Sequence, residues 1–135
     1  MQIFGALIAV GLLAGCSSAP ISLADAKPVM AVGQFQAAAP GTAPVVVRRD
    51  TGFGGGGCTT TLYVNGEAAG RINTGEMVTI HAPVGGVILG ASNTSAMCPN
   101  ALVEQEVVLE EGKPRHFRVG IDQSGSLGLF RTNAS

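Results

Sequence analysis

The chain contains no tryptophan, one tyrosine and five phenylalanines, so aromatics supply only 4% of its 135 residues. A core built from it must rest on aliphatic and small side chains. Charge is scarce too: Asp, Glu, Lys and Arg make up 13%, about half the usual share. The formal net charge is -1 and no run of like charge exceeds two residues. A surface that tracks phosphates needs clustered Lys and Arg, so nucleic acid is excluded as a partner. No apolar run reaches the roughly 20 residues that a membrane-spanning helix needs. Soft metal ligands are few: His81, His116 and three cysteines, in a spacing that matches no compact zinc motif. No metal and no cofactor is expected.

What the chain does have is glycine, 20 residues of it, which favours many turns over long helices. It also has a short apolar run, Ile3 to Leu13, leading into Leu13-Ala14-Gly15-Cys16-Ser17. Eleven apolar residues are too short to span a bilayer and suit the hydrophobic region of a signal peptide. Met1-Gln2-Ile3 carries no Lys or Arg, so the n-region is minimal or the start lies upstream. The small residues before Cys16 match a bacterial lipobox. Residues 1–15 are therefore expected to be a lipoprotein signal peptide, with Cys16 as the lipidation site and a membrane held through its lipid as the first partner. Two or three acyl chains, at about 0.8 kcal/mol per buried methylene, give stable anchoring. Ser17, in place of Asp, looks like the sorting choice for the periplasmic face of an outer membrane.

Residues 16–43 hold Pro20, Pro28 and Pro40 among many Ala and Ser. Proline at that density opposes helix and sheet interiors alike. The segment is expected to be a disordered tether, with at most a short helix near Val29 to Ala38. Its extended limit is on the order of 85 Å, at roughly 3.3 Å per residue.

Residues 44–132 change to strands and turns. Val45-Val46-Val47-Arg48-Arg49 is β-branched and should form the first strand. Cys58 to Val64 alternates, with Cys58, Thr60, Leu62 and Val64 on one side. Asn65-Gly66 follows at once, a strong hairpin signal. Val78 and Ile80 mark the core face of a later strand, and Leu102 to Leu109 is the longest strand. Glu110 to Pro114 should be a hairpin loop into a strand with Phe117, Val119 and Ile121 inward. Seven or eight short strands at this spacing predict an all-β fold, a small antiparallel β-sandwich or open barrel.

With Cys16 assigned to lipid, Cys58 and Cys98 remain as an even pair in an exported chain. One disulfide is the expected use. It would close a loop of about 41 residues, and the chain-entropy estimate for such a loop is near 4 kcal/mol.

Taken together, these features carry a resemblance. The order is lipobox, Pro/Ala segment, Val-rich strand ending in Arg49-Asp50, Gly-rich loop and Cys58. Next come Leu62-Tyr63-Val64-Asn65-Gly66, a Gly75-Glu76 turn and Pro83-Val84-Gly85-Gly86. A Cys98 loop and Glu110-Glu111-Gly112-Lys113 close it. The chain resembles small proteobacterial lipoproteins with a PEGA-like β-domain of unknown function. The resemblance implies a sandwich-like fold and an envelope location, and it supplies no catalytic residues. Some such relatives carry the label 3-isopropylmalate dehydratase. That chemistry uses an iron–sulfur cluster held by cysteines, for which these cysteines offer no set.

Other constellations resolve to structural roles. Gly54 to Gly57 lacks the Gly-Lys-Ser/Thr and the helix of a phosphate-binding loop. His81 and His116 have no nucleophile elbow around them. Glu104 and Glu106 share one solvated face and are expected to pair across the hairpin with His116 and Arg118. Gln105, between them, is a bulge residue or a buried amide in need of partners.

The expectation is a non-enzymatic envelope module that binds or scaffolds another envelope protein. Loops Asp50 to Gly57 and Ser92 to Asn100 would carry the surface, with Phe53, Gly55, Asn93 and Asn100 as binding candidates. The alternatives are an envelope hydrolase using His81 or His116, and a surface-displayed inhibitor.

Overall fold

The computed structural model describes residues 18–52, 57–94, 98 and 101–135. The expected signal segment, Cys16, Ser17, Phe53, Gly55 and Asn100 lie outside the described residues. Among the described residues nine strands form two sheets: β1 (Lys27–Val29), β2 (Thr42–Arg49), β3 (Thr60–Val64), β4 (Glu67–Ile72), β5 (Glu76–Pro83), β6 (Gly85–Asn93), β7 (Val103–Leu109), β8 (Arg115–Ile121) and β9 (Leu127–Arg131). One sheet has the order β1-β5-β2-β8-β9 and the other β4-β3-β6-β7. The architecture is a small β-sandwich and not a closed barrel. Among the described residues no helix is long and apolar enough to cross a membrane.

The core is aliphatic, as the scarcity of aromatics requires. Val45, Val47, Ile80, Phe117 and Val119 from the five-stranded sheet meet Leu62, Leu89, Val107 and Leu109 from the other. Prolines sit where a missing N–H is harmless. Pro28 is on the edge strand β1, Pro83 ends β5, and β8 joins β2 only from Val45, one residue after Pro44. Asn65 and Gly66 both take positive φ, 50° and 79°, the type I′ geometry whose twist matches a two-residue hairpin. Asn65 also extends the sheet sideways. It exchanges bonds with Ile88, N to O at 2.8 Å and Ile88 N to Asn65 Oδ1 at 2.8 Å.

Two expectations need correction. The tether is not disordered over its described part. Lys27–Val29 pairs in parallel with Glu76–Val78, Gly33–Phe35 makes a 3-10 turn, and Ala26, Ala31 and Phe35 are buried. Proline density blocks a continuous strand or helix but does not stop short pieces from docking on a neighbouring sheet. Second, Glu110 to Pro114 does not join a hairpin. It turns tightly, with Lys113 N donating to Glu110 O at 3.1 Å, yet β7 and β8 enter different sheets. A tight turn reverses the chain without choosing the edge that receives it. β8 lies parallel beside β2, Val45 to Arg49 matching Arg115 to Val119, so the five-stranded sheet is mixed.

Candidate functional site

Polar chemistry concentrates where β2 ends, in Arg48-Arg49-Asp50. All three are buried, because strand alternation sends them to the two covered faces of β2. Arg49 points between the sheets. Its Nη1 donates to Cys58 O at 2.5 Å, to Thr60 Oγ1 at 2.8 Å and to Ile72 O at 3.5 Å. Thr60 Oγ1 passes the chain on to Asn93 Oδ1 at 3.0 Å. Burial pulls the Arg49 guanidinium below its ordinary pKa, with the adjacent Asp50 opposing.

Arg48 and Asp50 point to the outer side. Arg48 donates to the carbonyls of Ile21 (3.1 Å), Ser135 (2.6 Å) and Asn133 (2.6 Å), pinning both ends of the described chain. Asp50 Oδ2 accepts from Ser18 Oγ at 2.9 Å and from Arg118 Nη1. The pair is asymmetric: the Asp50 side chain is 2% exposed and that of Arg118 28%. Arg118 also lies 4.7 Å over the Phe130 ring. Gly120 makes this approach possible, since a Cβ there would stand 2.3 Å from Asp50 Oδ2 and 2.9 Å from Ser18 Oγ.

Ser18 closes the layer. Its N donates to Ile121 O at 3.0 Å, and its Oγ accepts from Ile121 N at 2.8 Å. Ala19 forms an antiparallel bridge with Thr51, N to O at 2.7 and 2.8 Å. Every one of these bonds fastens one chain segment to another, so the chemistry of the layer is attachment.

Cys58 and Cys98 are disulfide-bonded, with Cα atoms 6.0 Å apart and a sequence separation of 40. Asn93 is corrected as a surface candidate: it is 2% exposed and its amide oxygen is taken by Thr60. Inward alternation along β6 sends it to the core side with Leu89 and Ala91. Phe53, Gly55 and Asn100 lie outside the described residues.

His81 and His116 are not brought together. They stand on β5 and β8 with β2 between them, opposite Pro44 and Val46 respectively. His81 lines a shallow cleft of about 200 Å³ with Met30, Met77 and Thr79. His116 holds a proton less readily than free imidazole, through partial burial and then the nearby Arg48 charge. The expected pairing of Glu104 and Glu106 with His116 and Arg118 is overturned. The glutamates are exposed on β7 in the four-stranded sheet, and Arg118 pairs with Asp50. Gln105 is the partly buried amide, its Nε2 donating to Leu129 O at 2.8 Å across the sheets. No three of His, Cys, Asp and Glu gather into a metal-holding group among the described residues.

The charged layer was missed in the sequence, though a signal was present. Val45-Val46-Val47 is a continuous apolar run, which marks a strand buried on both faces. The three charges that continue it then inherit that burial and must find partners. No family model matches the chain, and neither a curated protein nor a solved structure matches it.

Proposed function

We propose that this chain is an exported lipoprotein, held by lipid on Cys16 at the periplasmic face of the outer membrane. Its sandwich serves there as a non-enzymatic module that binds or scaffolds another envelope protein. The observation that carries the reading is the Cys58–Cys98 bond. A structural disulfide suits an oxidising compartment, and it leaves Cys16, inside the lipobox, outside the bonded pair. The resemblance to PEGA-like lipoproteins agrees with this location. His81 and His116 stand on strands either side of β2, so the hydrolase reading rests on one histidine at a time, and nothing favours the inhibitor reading.

Fractionation of cells tests the anchor. The native chain is expected in the outer membrane with a lipid-sized mass on the Cys16 peptide, and Cys16→Ser is expected to abolish the modification. Cross-linking in intact envelopes, followed by pull-down, tests the scaffold. A chain that recovers no partner above an unlipidated control counts against it. Replacement of both histidines by alanine is expected to leave partner recovery unchanged.

A further inference from the structure

Resting on the lipid-anchor reading, we infer that the domain sits flush on the bilayer, with the Ser18 end of the sandwich facing the phospholipid headgroups. A single residue, Ser17, separates Cys16 from Ser18. Ser18 is fixed to both Asp50 and Ile121, and Ala19 to Thr51. Chain reach at about 3.4 Å per residue then limits the stand-off between Cys16 and Ser18 to about 7 Å. A tether of on the order of 85 Å would let the domain search the periplasm. The clamp removes that freedom.

The fold decides which end is turned to the membrane. Asp50 N donates to Val119 O, and Gly75 N to Arg49 O. Arg49 reaches Cys58, and Thr94 N donates to Thr59 O. The end of β2, the turn after β4, the start of β3 and the end of β6 therefore share the Ser18 end, together with the Asp122 to Ser126 turn. Among the described residues, Thr51, Asp122, Ser124 and Ser126 give the rim beside Ser18 its polar groups. Hydroxyls and a carboxylate suit a hydrated headgroup layer rather than acyl chains. The opposite end carries Asn65-Gly66, Val84 bonded to Gly41, and Gly41 bonded to Glu111. It lies further out by the length of β2, about 25 Å for eight residues.

This placement bears on the partner surface. Among the described residues, the sheet faces and the far end stay clear of the bilayer for a protein partner to bind.

The test uses the lipidated chain in nanodiscs of phosphatidylethanolamine and phosphatidylglycerol that carry a headgroup nitroxide. Amide signals of Ala19, Thr51 and Ser124 are expected to be lost, and those of Gly66, Val84 and Gly112 to persist. Ten Gly/Ser residues inserted between Ser17 and Ser18 lengthen the reach by about 34 Å without touching the clamp, and are expected to restore the lost signals. Ser18→Ala, which removes the hydroxyl bonds, is expected to restore them in part. A Cys16 peptide without lipid mass overturns the anchor and the stand-off together. A lipidated chain with equal signal loss at both ends, or with loss only at Gly66 and Gly112, overturns the stand-off alone. An insertion that leaves the pattern unchanged does the same.

Discussion

The two sheets of this sandwich obey the same alternation but meet different surroundings. On β7 of the four-stranded sheet, alternation separates core from solvent. In β7, Val107 and Leu109 are buried while Glu104, Glu106 and Val108 are exposed. On β2 of the five-stranded sheet, alternation separates two kinds of burial. Val45, Val47 and Arg49 enter the core, while Arg48 and Asp50 are covered by the segments around Ser18 to Ile21 and Thr132 to Ser135. The difference shows that the segments flanking the sandwich act as a third, partial layer. That layer is polar in its bonding, because Arg48, Arg118 and Asp50 lie under it.

Breaking this contrast most strongly calls for the disulfide that ties the loops before β3 and β7. Replacing Cys58 and Cys98 together by serine is expected to lower unfolding free energy by about 4 kcal/mol, read as a shift of the urea midpoint. A loss under about 1 kcal/mol would mean that the loops hold without it. Next is Arg49→Met, expected to cost about 3 kcal/mol, because buried carbonyls of Cys58 and Ile72 lose a charged donor. Arg48→Met should cost less, since the carbonyls of Asn133 and Ser135 lie at the exposed tail and can take water. Equal costs would erase the distinction between the inner and the outer side of β2.

Gly120→Ala addresses the outer side directly. Its Cβ displaces Asp50 from Ser18 and Arg118, at about 2 kcal/mol. Loss of amide-exchange protection at Ser18 would locate the damage. The pH response is smaller. His116 has its folded-state pKa below the unfolded value, through burial and Arg48. Its contribution is therefore intact above the unfolded value and is lost as pH falls toward the folded one. Urea midpoints are expected to drop between pH 7 and 5, and His116→Gln is expected to flatten that drop. Smallest of all, Glu104→Gln with Glu106→Gln on the bare face should change stability by less than about 0.5 kcal/mol. A larger effect would show that the face is not simply solvated.

Much of the fold was legible locally. Asn65-Gly66 specified its hairpin because few residues tolerate two positive φ angles in succession. Val78, Ile80, Phe117 and Val119 announced their core faces through period-two spacing. The cysteine pair followed from counting once Cys16 was set aside. What stayed hidden was everything that depends on which edge or surface a segment meets. Glu110 to Pro114 looked like a hairpin, and Pro20 to Pro40 looked like a tether, because local chemistry describes a turn or a broken strand equally well in both settings. Asn93 looked like a loop residue for the same reason.

By itself the amino-acid sequence determined an all-β chain of short strands, an aliphatic core and one available cysteine pair, since backbone preference, alternation and composition are local properties. Only the tertiary structure decided that β8 lies parallel to β2, that Arg48, Arg49 and Asp50 become fasteners, and that Ser18 is clamped to Asp50 and Ile121. Those outcomes come from contacts as distant as 103 residues along the chain. They depend on which segments meet across the fold and, for Arg48, Arg49 and Asp50, on the cost of leaving buried charge unpaired, quantities that no local window contains.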